Sequence, residues 1–246
     1  MRVVYPSSKE FSEVIRALSS FTDRLTLNFS EDGAYSSYLT EDKIVMVTLK
    51  VKRESFDDFA LEKPVAFSFQ LDDLKKALSK VKGRAGLEIA EGKEGLKFTV
   101  IEEDRGLRNT ISIKAEAVQI QQVSELRVKP TFTLTLPSTY LKLVVRDAKL
   151  VSEDVRIEVQ NGEFRVIAEE AGKSYYCSMT KEKPLSSIEV EAEGSSTFSS
   201  EILAKVVDAI SLFDEVSVAS GGGLPVKIST KLERQGELSF WVAPRL

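Results

Sequence analysis

Four segments of the chain repeat a hydrophobic pattern that is typical of amphipathic helices. In each segment, apolar residues recur at positions i, i+3, i+4 and i+7, which places them on one face of a helix. The pattern begins near residues 8, 71, 138 and 200, and serines at three of these starts predict N-caps. The predicted buried faces comprise Phe11, Val14, Ile15 and Leu18; Leu74, Ala77, Leu78 and Val81; Leu141, Val144, Val145 and Ala148; and Leu203, Val206, Val207 and Ile210.

The predicted helices start about 65 residues apart, and this even spacing indicates an internal repeat. Between them lie short segments that alternate polar and apolar residues and are rich in β-branched and aromatic side chains, as strands are. Turn signals such as Asn161-Gly162 separate these segments. Each quarter of the chain therefore predicts a β-rich unit with one helix. Two quarters make a half, so we predict an α+β protein with two similar domains, residues 1–115 and 130–246.

Residues 116–129 separate the two halves and show no strong hydrophobic period before Pro130. We interpret this segment as an extended interdomain connector. The alternative is that it forms one more strand of the first domain.

The exposed faces of the second and third predicted helices are rich in positive charge. Lys142, Arg146 and Lys149 recur at i, i+4 and i+7 on the third helix, although like charges at this spacing destabilise a helix. Because no Glu on that face relieves them, we predict an anionic partner that is held through phosphate contacts without base recognition. The alternative is a solvated helix face. The candidate cations are Lys76, Lys80, Lys82, Arg84, Lys142, Arg146 and Lys149, with Lys9, Arg16 and Lys205 as lesser contributors because acidic residues accompany them.

The composition excludes most catalytic chemistry. The 246 residues include 0 His and 1 Cys, which excludes serine–histidine triads, histidine acid–base catalysis, cysteine or histidine zinc sites and internal disulfides. No P-loop or dinucleotide-binding motif is present, and Gly221-Gly222-Gly223 predicts a turn between strands. We therefore predict a protein without enzymatic activity, metal site or cofactor.

The net charge of −4 shows that the chain as a whole is not a basic nucleic-acid binder. Positive charge that contacts nucleic acid must therefore be concentrated on particular faces. No apolar run is long enough to span a bilayer, and the N-terminus has no apolar run of signal-peptide length. The sequence predicts a cytosolic or nuclear protein with no membrane partner.

Several local strings resemble sliding clamps of the proliferating-cell-nuclear-antigen type, in their archaeal form. The string from Pro137 to Ala148 is similar to the helix that opens the family's second domain. Residues 30–33 and 44–47 are similar to the loop and strand beside the family's partner pocket. The string Trp241–Arg245 resembles the family's C-terminal signature of an aromatic residue followed by Leu-Ala-Pro-Lys/Arg. Together with the repeat, the resemblance covers nearly the whole chain.

The resemblance implies a DNA-clamp fold, in which two similar β-rich domains each carry two helices on one face of their sheets. Three subunits, identical or different, would form a ring around duplex DNA, and the candidate cations would contact it without sequence specificity. DNA polymerase, flap nuclease, DNA ligase and the clamp loader would bind the outside through short peptide motifs, in a prokaryotic cytoplasm at the nucleoid. The alternative is a clamp-like protein-binding scaffold, or a checkpoint-type paralogue, without a replicative role.

The resemblance also implies a pocket for partner peptides and two edge strands for subunit contact. The matching pocket positions are Leu39, Ile44, Val123, Leu126, Pro225, Trp241, Ala243 and Pro244. The edge strands match residues 108–115 and 173–179, with Thr110, Ile111, Ile113, Tyr175, Cys177 and Met179 as candidate interface residues. The pocket-loop string, a less basic first helix and a chain that stops at Leu246 without an acidic tail depart from the family pattern. Such departures suit a specialised subunit.

Overall fold

The structure is a computed structural model that describes residues 1–79, 85–121 and 126–245. The chain divides into two compact units. The first unit comprises Met1–Tyr38, Val47–Ser124 and Lys231–Leu238, and the second comprises Leu39–Met46, Glu125–Thr230 and Ser239–Leu246. Each unit is therefore assembled from segments that are distant in the sequence.

The elements of the first half of the chain alternate strands with two helices. They are β1 (Arg2–Tyr5), α1 (Ser8–Leu18), β2 (Arg24–Ser30), β3 (Gly33–Leu39), β4 (Val45–Lys52), β5 (Asp58–Ala60), β6 (Val65–Gln70), α2 (Leu71–Leu78), β7 (Gly86–Glu91), β8 (Gly95–Glu102) and β9 (Leu107–Val118). Antiparallel pairing within the first unit gives the order β5-β1-β7-β8-β9-β6-β2-β3.

The second half of the chain repeats this plan. Its elements are β10 (Phe132–Pro137), α3 (Ser138–Lys149), β11 (Asp154–Gln160), β12 (Glu163–Glu170), β13 (Lys173–Met179), β14 (Ser187–Val190), β15 (Gly194–Ser199), α4 (Ser200–Ile210), β16 (Glu215–Ser220), β17 (Val226–Leu232) and β18 (Gly236–Val242). Within the second unit, antiparallel pairing gives β14-β10-β16-β17 and a separate sheet, β13-β12-β11-β15. Two β-rich units with two helices each confirm the predicted fold class.

All four helices begin where the hydrophobic pattern predicts, and the predicted stripes of α1, α3 and α4 are buried. In the stripe of α2, Leu74 and Leu78 are buried and Ala77 is half-buried, whereas Val81 lies outside the described residues.

Serines occupy the N-caps of α1 and α4, Ser7 and Ser199, but of these only the Ser7 hydroxyl makes a capping hydrogen bond, accepting from the Glu10 N–H at 3.2 Å. Ser138 and Ser200 instead lie inside the first turn and are buried. The Ser138 hydroxyl donates to the Phe213 carbonyl, so it ties α3 to the loop that follows α4.

The segment between the two halves begins as strand. β9 continues to Val118 and pairs with β6 through residues 115–118. Residues 119–121 and 126–130 have no regular secondary structure. The backbone of Gln121 is held from both sides, because its N–H donates to Asn28 Oδ1 at 2.9 Å and its carbonyl accepts from the Tyr35 hydroxyl at 2.7 Å.

Among the described residues, the helices are too short and too polar to cross a membrane.

Candidate nucleic-acid and partner interfaces

Helices α3 and α4 pack against each other in the second unit and leave one face of the pair exposed. The buried stripe of α3 includes Leu141 and Val145, and that of α4 includes Leu203 and Val207. A helix that buries one stripe must present its other residues to solvent, because successive residues turn around the axis with a period of 3.6. The predicted cations of both helices lie on this remaining surface.

The structure places an acid among these cations that the sequence pattern of α3 does not reveal. Arg146 forms a bidentate pair with Asp208 of α4, with Nε and Nη2 at 3.0 and 2.8 Å from the two carboxylate oxygens. The Lys142 ammonium lies 3.4 Å from the same carboxylate and donates to the Ser211 hydroxyl at 3.1 Å. The positive charges for which α3 itself provides no acidic partner are therefore partly neutralised by an acid of the neighbouring helix.

The electrostatics of this cluster follow from its geometry. Burial, the largest single influence on the Asp208 carboxyl, acts to raise its pKa. The hydrogen bond and charge of Arg146 and the charge of Lys142 act in the opposite direction, so the pKa of Asp208 lies below its ordinary value. Asp208 is thus a carboxylate at neutral pH.

Lys149 and Lys205 are the remaining candidates on this pair of helices, and both are exposed. Among the residues that the structure describes, no carboxylate lies within ion-pair distance of Lys149. Lys205 contributes to the electrostatics of Asp42, whose pKa is lowered first by the Thr40 hydroxyl and the Ile44 N–H and then by the Lys205 charge. Lys149 is therefore the clearest unneutralised cation of the α3–α4 face.

The helix pair of the first unit carries three of the described candidate cations. Lys9 and Arg16 of α1 and Lys76 of α2 are exposed, and the Lys9 ammonium lies 4.0 Å from Glu13. Three further candidates that follow α2 lie outside the described residues: Lys80, Lys82 and Arg84. The structure thus places every described cation candidate on a helix surface that solvent reaches.

Strand β9 has a free backbone edge over most of its length. On one side residues 107–114 pair with β8, whereas on the other side β6 covers only residues 115–118. The Ala115 N–H donates toward β8, to the Glu94 carbonyl, so the alternation of an antiparallel ladder directs the backbone groups of Thr110 to the other side. In the described part of the chain, no strand pairs with this side of residues 107–114. The Thr110 side chain is exposed, Ile111 is half-buried and Ile113 is buried.

Strand β13 is the outermost strand of its sheet, because it pairs only with β12 among the described residues. Tyr175 and Cys177 are half-buried and Met179 is buried, whereas the alternate residues Ser174, Tyr176 and Ser178 are exposed. Burial raises the pKa of Tyr175 to about 12 and raises the pKa of the Cys177 thiol. Ile113 and Met179 pack inside their own units, so any subunit contact at their positions would be made through the backbone.

The described pocket candidates all belong to the second unit. The Ala243 N–H donates to the Ile44 carbonyl at 2.9 Å, which joins the C-terminal string to the loop between β3 and β4. Leu39 is 49% exposed at the start of that loop, and Leu126 is 42% exposed. Ile44, Pro225, Trp241, Ala243 and Pro244 are half-buried, and Val123 lies outside the described residues.

Two residues that the sequence analysis did not select contact the pocket candidates Trp241 and Ile44. The Lys227 ammonium lies 5.7 Å from the centre of the Trp241 ring, at a distance that permits a cation–π interaction. The Asp42 carboxylate accepts hydrogen bonds from Thr40 Oγ1 at 2.5 Å and from the Ile44 N–H at 3.1 Å, which fixes the loop. An acid two residues before an N–H is a recognisable turn signal, whereas the Lys227–Trp241 contact joins two strands and leaves no local signal.

Comparison with known proteins gives full-length matches. The model for "Proliferating cell nuclear antigen, N-terminal domain" matches residues 7–125, and the model for its C-terminal domain matches residues 132–245. The chain is 37% identical to "DNA polymerase sliding clamp 2" of Sulfurisphaera tokodaii, with 100% of both chains covered. It is 33% identical to "DNA polymerase sliding clamp 1" of Saccharolobus solfataricus, with 100% of this chain and 99% of that one covered.

Solved structures show the same fold. The crystal structure of the proliferating cell nuclear antigen of Thermococcus kodakaraensis superposes with a TM-score of 0.90 at 21% identity, covering 99% of both chains. A chain of the PCNA2–PCNA3 complex of Sulfolobus tokodaii superposes with a TM-score of 0.86 at 19% identity, covering 100% of this chain and 99% of that one.

Proposed function

The chain belongs to the proliferating cell nuclear antigen family of DNA sliding clamps, and from this membership we propose how its surfaces hold DNA, other subunits and partner enzymes. Its function is that of a DNA polymerase sliding clamp. The observation that carries this conclusion is the match of two family domains across the chain, together with clamp relatives of equal length. No specific observation favours the protein-only scaffold.

The DNA-facing surface consists of the exposed helix faces. Lys149 and Lys76 are unpaired among the described residues, and Arg146 and Lys142 reach the same face as Lys149. Lysine and arginine side chains without interleaved aromatic residues suit phosphate contact and not base recognition. The surface would therefore hold duplex DNA weakly and without sequence preference, and retention would depend on a closed ring.

Ring closure uses the two free strand edges. An unpaired strand edge is normally blunted or covered, because it can pair with another chain. β9 from one subunit and β13 from the next would extend each other's sheets, with Thr110 in the first strand and Tyr175 in the second at the contact. Because one structural neighbour is a complex of two different clamp chains, a ring of unlike subunits is an option for this chain as well.

Partner enzymes would bind the pocket around Trp241. Leu39 and Leu126 are exposed apolar residues among the pocket candidates, and exposed apolar residues with polar groups beside them are typical of peptide-binding sites. DNA polymerase, flap nuclease, DNA ligase and the clamp loader are the expected ligands, each through a short motif. We place the protein in the cytoplasm at the nucleoid, and we assign it no catalytic activity, metal or cofactor of its own.

Retention on DNA tests this function directly. The assembled clamp, loaded by its clamp loader, should remain on closed circular DNA and leave within minutes when the circle is cut. Replacing Lys142, Arg146 and Lys149 with Gln should reduce loading and polymerase stimulation. A matched triple variant on exposed lysines outside the helices, Lys63, Lys93 and Lys181 to Gln, serves as the control. Equal loss in both variants, or none in either, would contradict the proposed DNA-facing surface.

A further inference from the structure

The carboxylate of Asp208 pairs with two of the cations that the proposed function assigns to DNA contact. It holds Arg146 in a bidentate pair and Lys142 at 3.4 Å, all three on the exposed surface of α3 and α4. The side chains of Arg146 and Asp208 are 56% and 39% exposed, so a phosphate can reach the pair from solvent. Such an arrangement is unexpected on a surface whose only task is to attract polyanions.

A phosphate group presents the same chemistry to arginine as a carboxylate does. Both anions offer two oxygen atoms to the planar guanidinium, and both accept a bidentate pair. A DNA phosphate that takes the Nε–Nη2 edge of Arg146 therefore has to replace Asp208, and one that takes the remaining Nη1 edge lies beside that carboxylate. The replacement brings a phosphate close to the displaced carboxylate, and this repulsion opposes a lasting contact.

We propose that Asp208 is an intramolecular competitor for DNA phosphate, which keeps Arg146 and Lys142 available for brief contacts and prevents long-lived ones. The proposal rests on the proposed function, because it concerns the same helix face. In it, Lys149 and Lys76 supply the persistent attraction, since neither has a carboxylate partner among the described residues. Asp208 would then limit the friction between the clamp and the DNA that it encloses.

The test is the variant Asp208→Asn in the full-length chain within its assembled clamp. Fluorescence anisotropy with a labelled short duplex gives the dissociation constant across a series of salt concentrations. Each additional phosphate contact steepens the slope of log K against log salt by about 0.9, so freeing Arg146 and Lys142 should steepen it by about 0.9 to 1.8 per copy. The same slope means that each added contact increases the ratio of the affinities at 50 and 200 mM salt by about 3.5-fold.

The controls distinguish the loss of any negative charge from the loss of the carboxylate that pairs with Arg146 and Lys142. Asp73→Asn removes an exposed acid from α2 that has no cation partner among the described residues, so it should leave the slope unchanged. Asp208→Ala, which favours the helix, provides a second variant without the carboxylate. Melting temperatures and ring mass verify that each variant folds and assembles. One-dimensional diffusion on DNA anchored at both ends should slow down in both Asp208 variants.

The outcomes distinguish this proposal from the proposed function. If both Asp208 variants bind DNA no more tightly, or more weakly, Asp208 does not compete with phosphate and the proposal is wrong. The DNA-facing surface would still stand if the double variant Lys142→Gln with Arg146→Gln weakens binding. If the triple variant of Lys142, Arg146 and Lys149 to Gln also has no effect, the α3–α4 face does not contact DNA, and the proposed function of this surface fails as well.

Discussion

A proline at position 110 should weaken subunit assembly and leave the fold of its own unit intact. The backbone groups of Thr110 point away from β8 and toward the free edge of β9, because the neighbouring register places the Ala115 N–H toward β8. Proline removes an N–H that pairs with nothing among the described residues of its own chain. Edge strands tolerate proline at such positions for this reason.

The expected magnitude follows from the bond that the partner subunit would lose. An interstrand hydrogen bond contributes about 0.5–1.5 kcal/mol net, and 1.4 kcal/mol is a factor of ten in affinity, so Thr110→Pro should weaken association by about 2- to 13-fold. The pyrrolidine ring adds a steric block where the partner strand would approach. Thr110 also loses its hydroxyl contact with Thr99 Oγ1, at 2.8 Å, which Thr110→Val removes without affecting the backbone.

The assay is the subunit dissociation constant, measured by sedimentation or mass photometry of the chain alone and with other clamp subunits. Ile111→Pro is the contrasting variant, because the same alternation directs the Ile111 backbone toward β8. It should destabilise the first unit, whereas Thr110→Pro should not lower the melting temperature by a comparable amount. Assembly that survives Thr110→Pro with an unchanged dissociation constant would refute the assignment of β9 as an interface strand.

Three further changes test the core, the pH dependence and the partner pocket. Leu141→Ala should cost about 2–5 kcal/mol in the free energy of unfolding because Leu141 is 0% exposed, whereas Leu143→Ala on the same helix, at a residue that is 55% exposed, should cost far less; equal costs in urea denaturation would contradict the assigned helix face. Burial raises the pKa of Glu10, although hydrogen bonds from the Tyr5 hydroxyl and a backbone N–H act to lower it. The native state therefore binds more protons than the unfolded state in this pH range. Its stability should decline as the pH rises above about 4.5 and through the raised pKa. Glu10→Gln should flatten that decline above about pH 4.5, and an unchanged slope would refute the assignment. Trp241 is the 1 Trp of the chain, so its fluorescence should respond to a partner-motif peptide, and no heat in calorimetry at millimolar peptide would contradict the pocket.

The helices were predictable from the sequence because their burial pattern is local. Four stripes with a period of 3.6 identify both where each helix begins and which face is buried, and these starts agree with the structure. The serine caps were less predictable, because Ser138 has two competing options. It could cap its own helix, or it could donate to the carbonyl of Phe213, which lies 75 residues further along the chain. The packing of α3 beside the end of α4 decides between them.

The ion pairs of the candidate DNA-facing surface were likewise not predictable, because they depend on how distant segments pack together. Arg146 and Asp208 are 62 residues apart in sequence, and no charge pattern within either helix links them. Only the packing of α3 on α4 brings them within hydrogen-bond distance. The free edge of β9 likewise depends on where β6 ends, which no pattern within β9 encodes.

The first unit contains a segment from far downstream in the sequence, and this affects how the unit can fold during synthesis on the ribosome. Residues 231–238 fold with this unit: the Lys52 N–H donates to the Gln235 carbonyl at 3.0 Å, and Arg234 pairs with Asp57 at 2.6 Å. Although domains generally fold in order as they emerge, this unit is completed only after residues 231–238, which follow most of the second unit in the sequence, have been translated. The nascent chain therefore carries the first unit without these residues while the bulk of the second unit is synthesised.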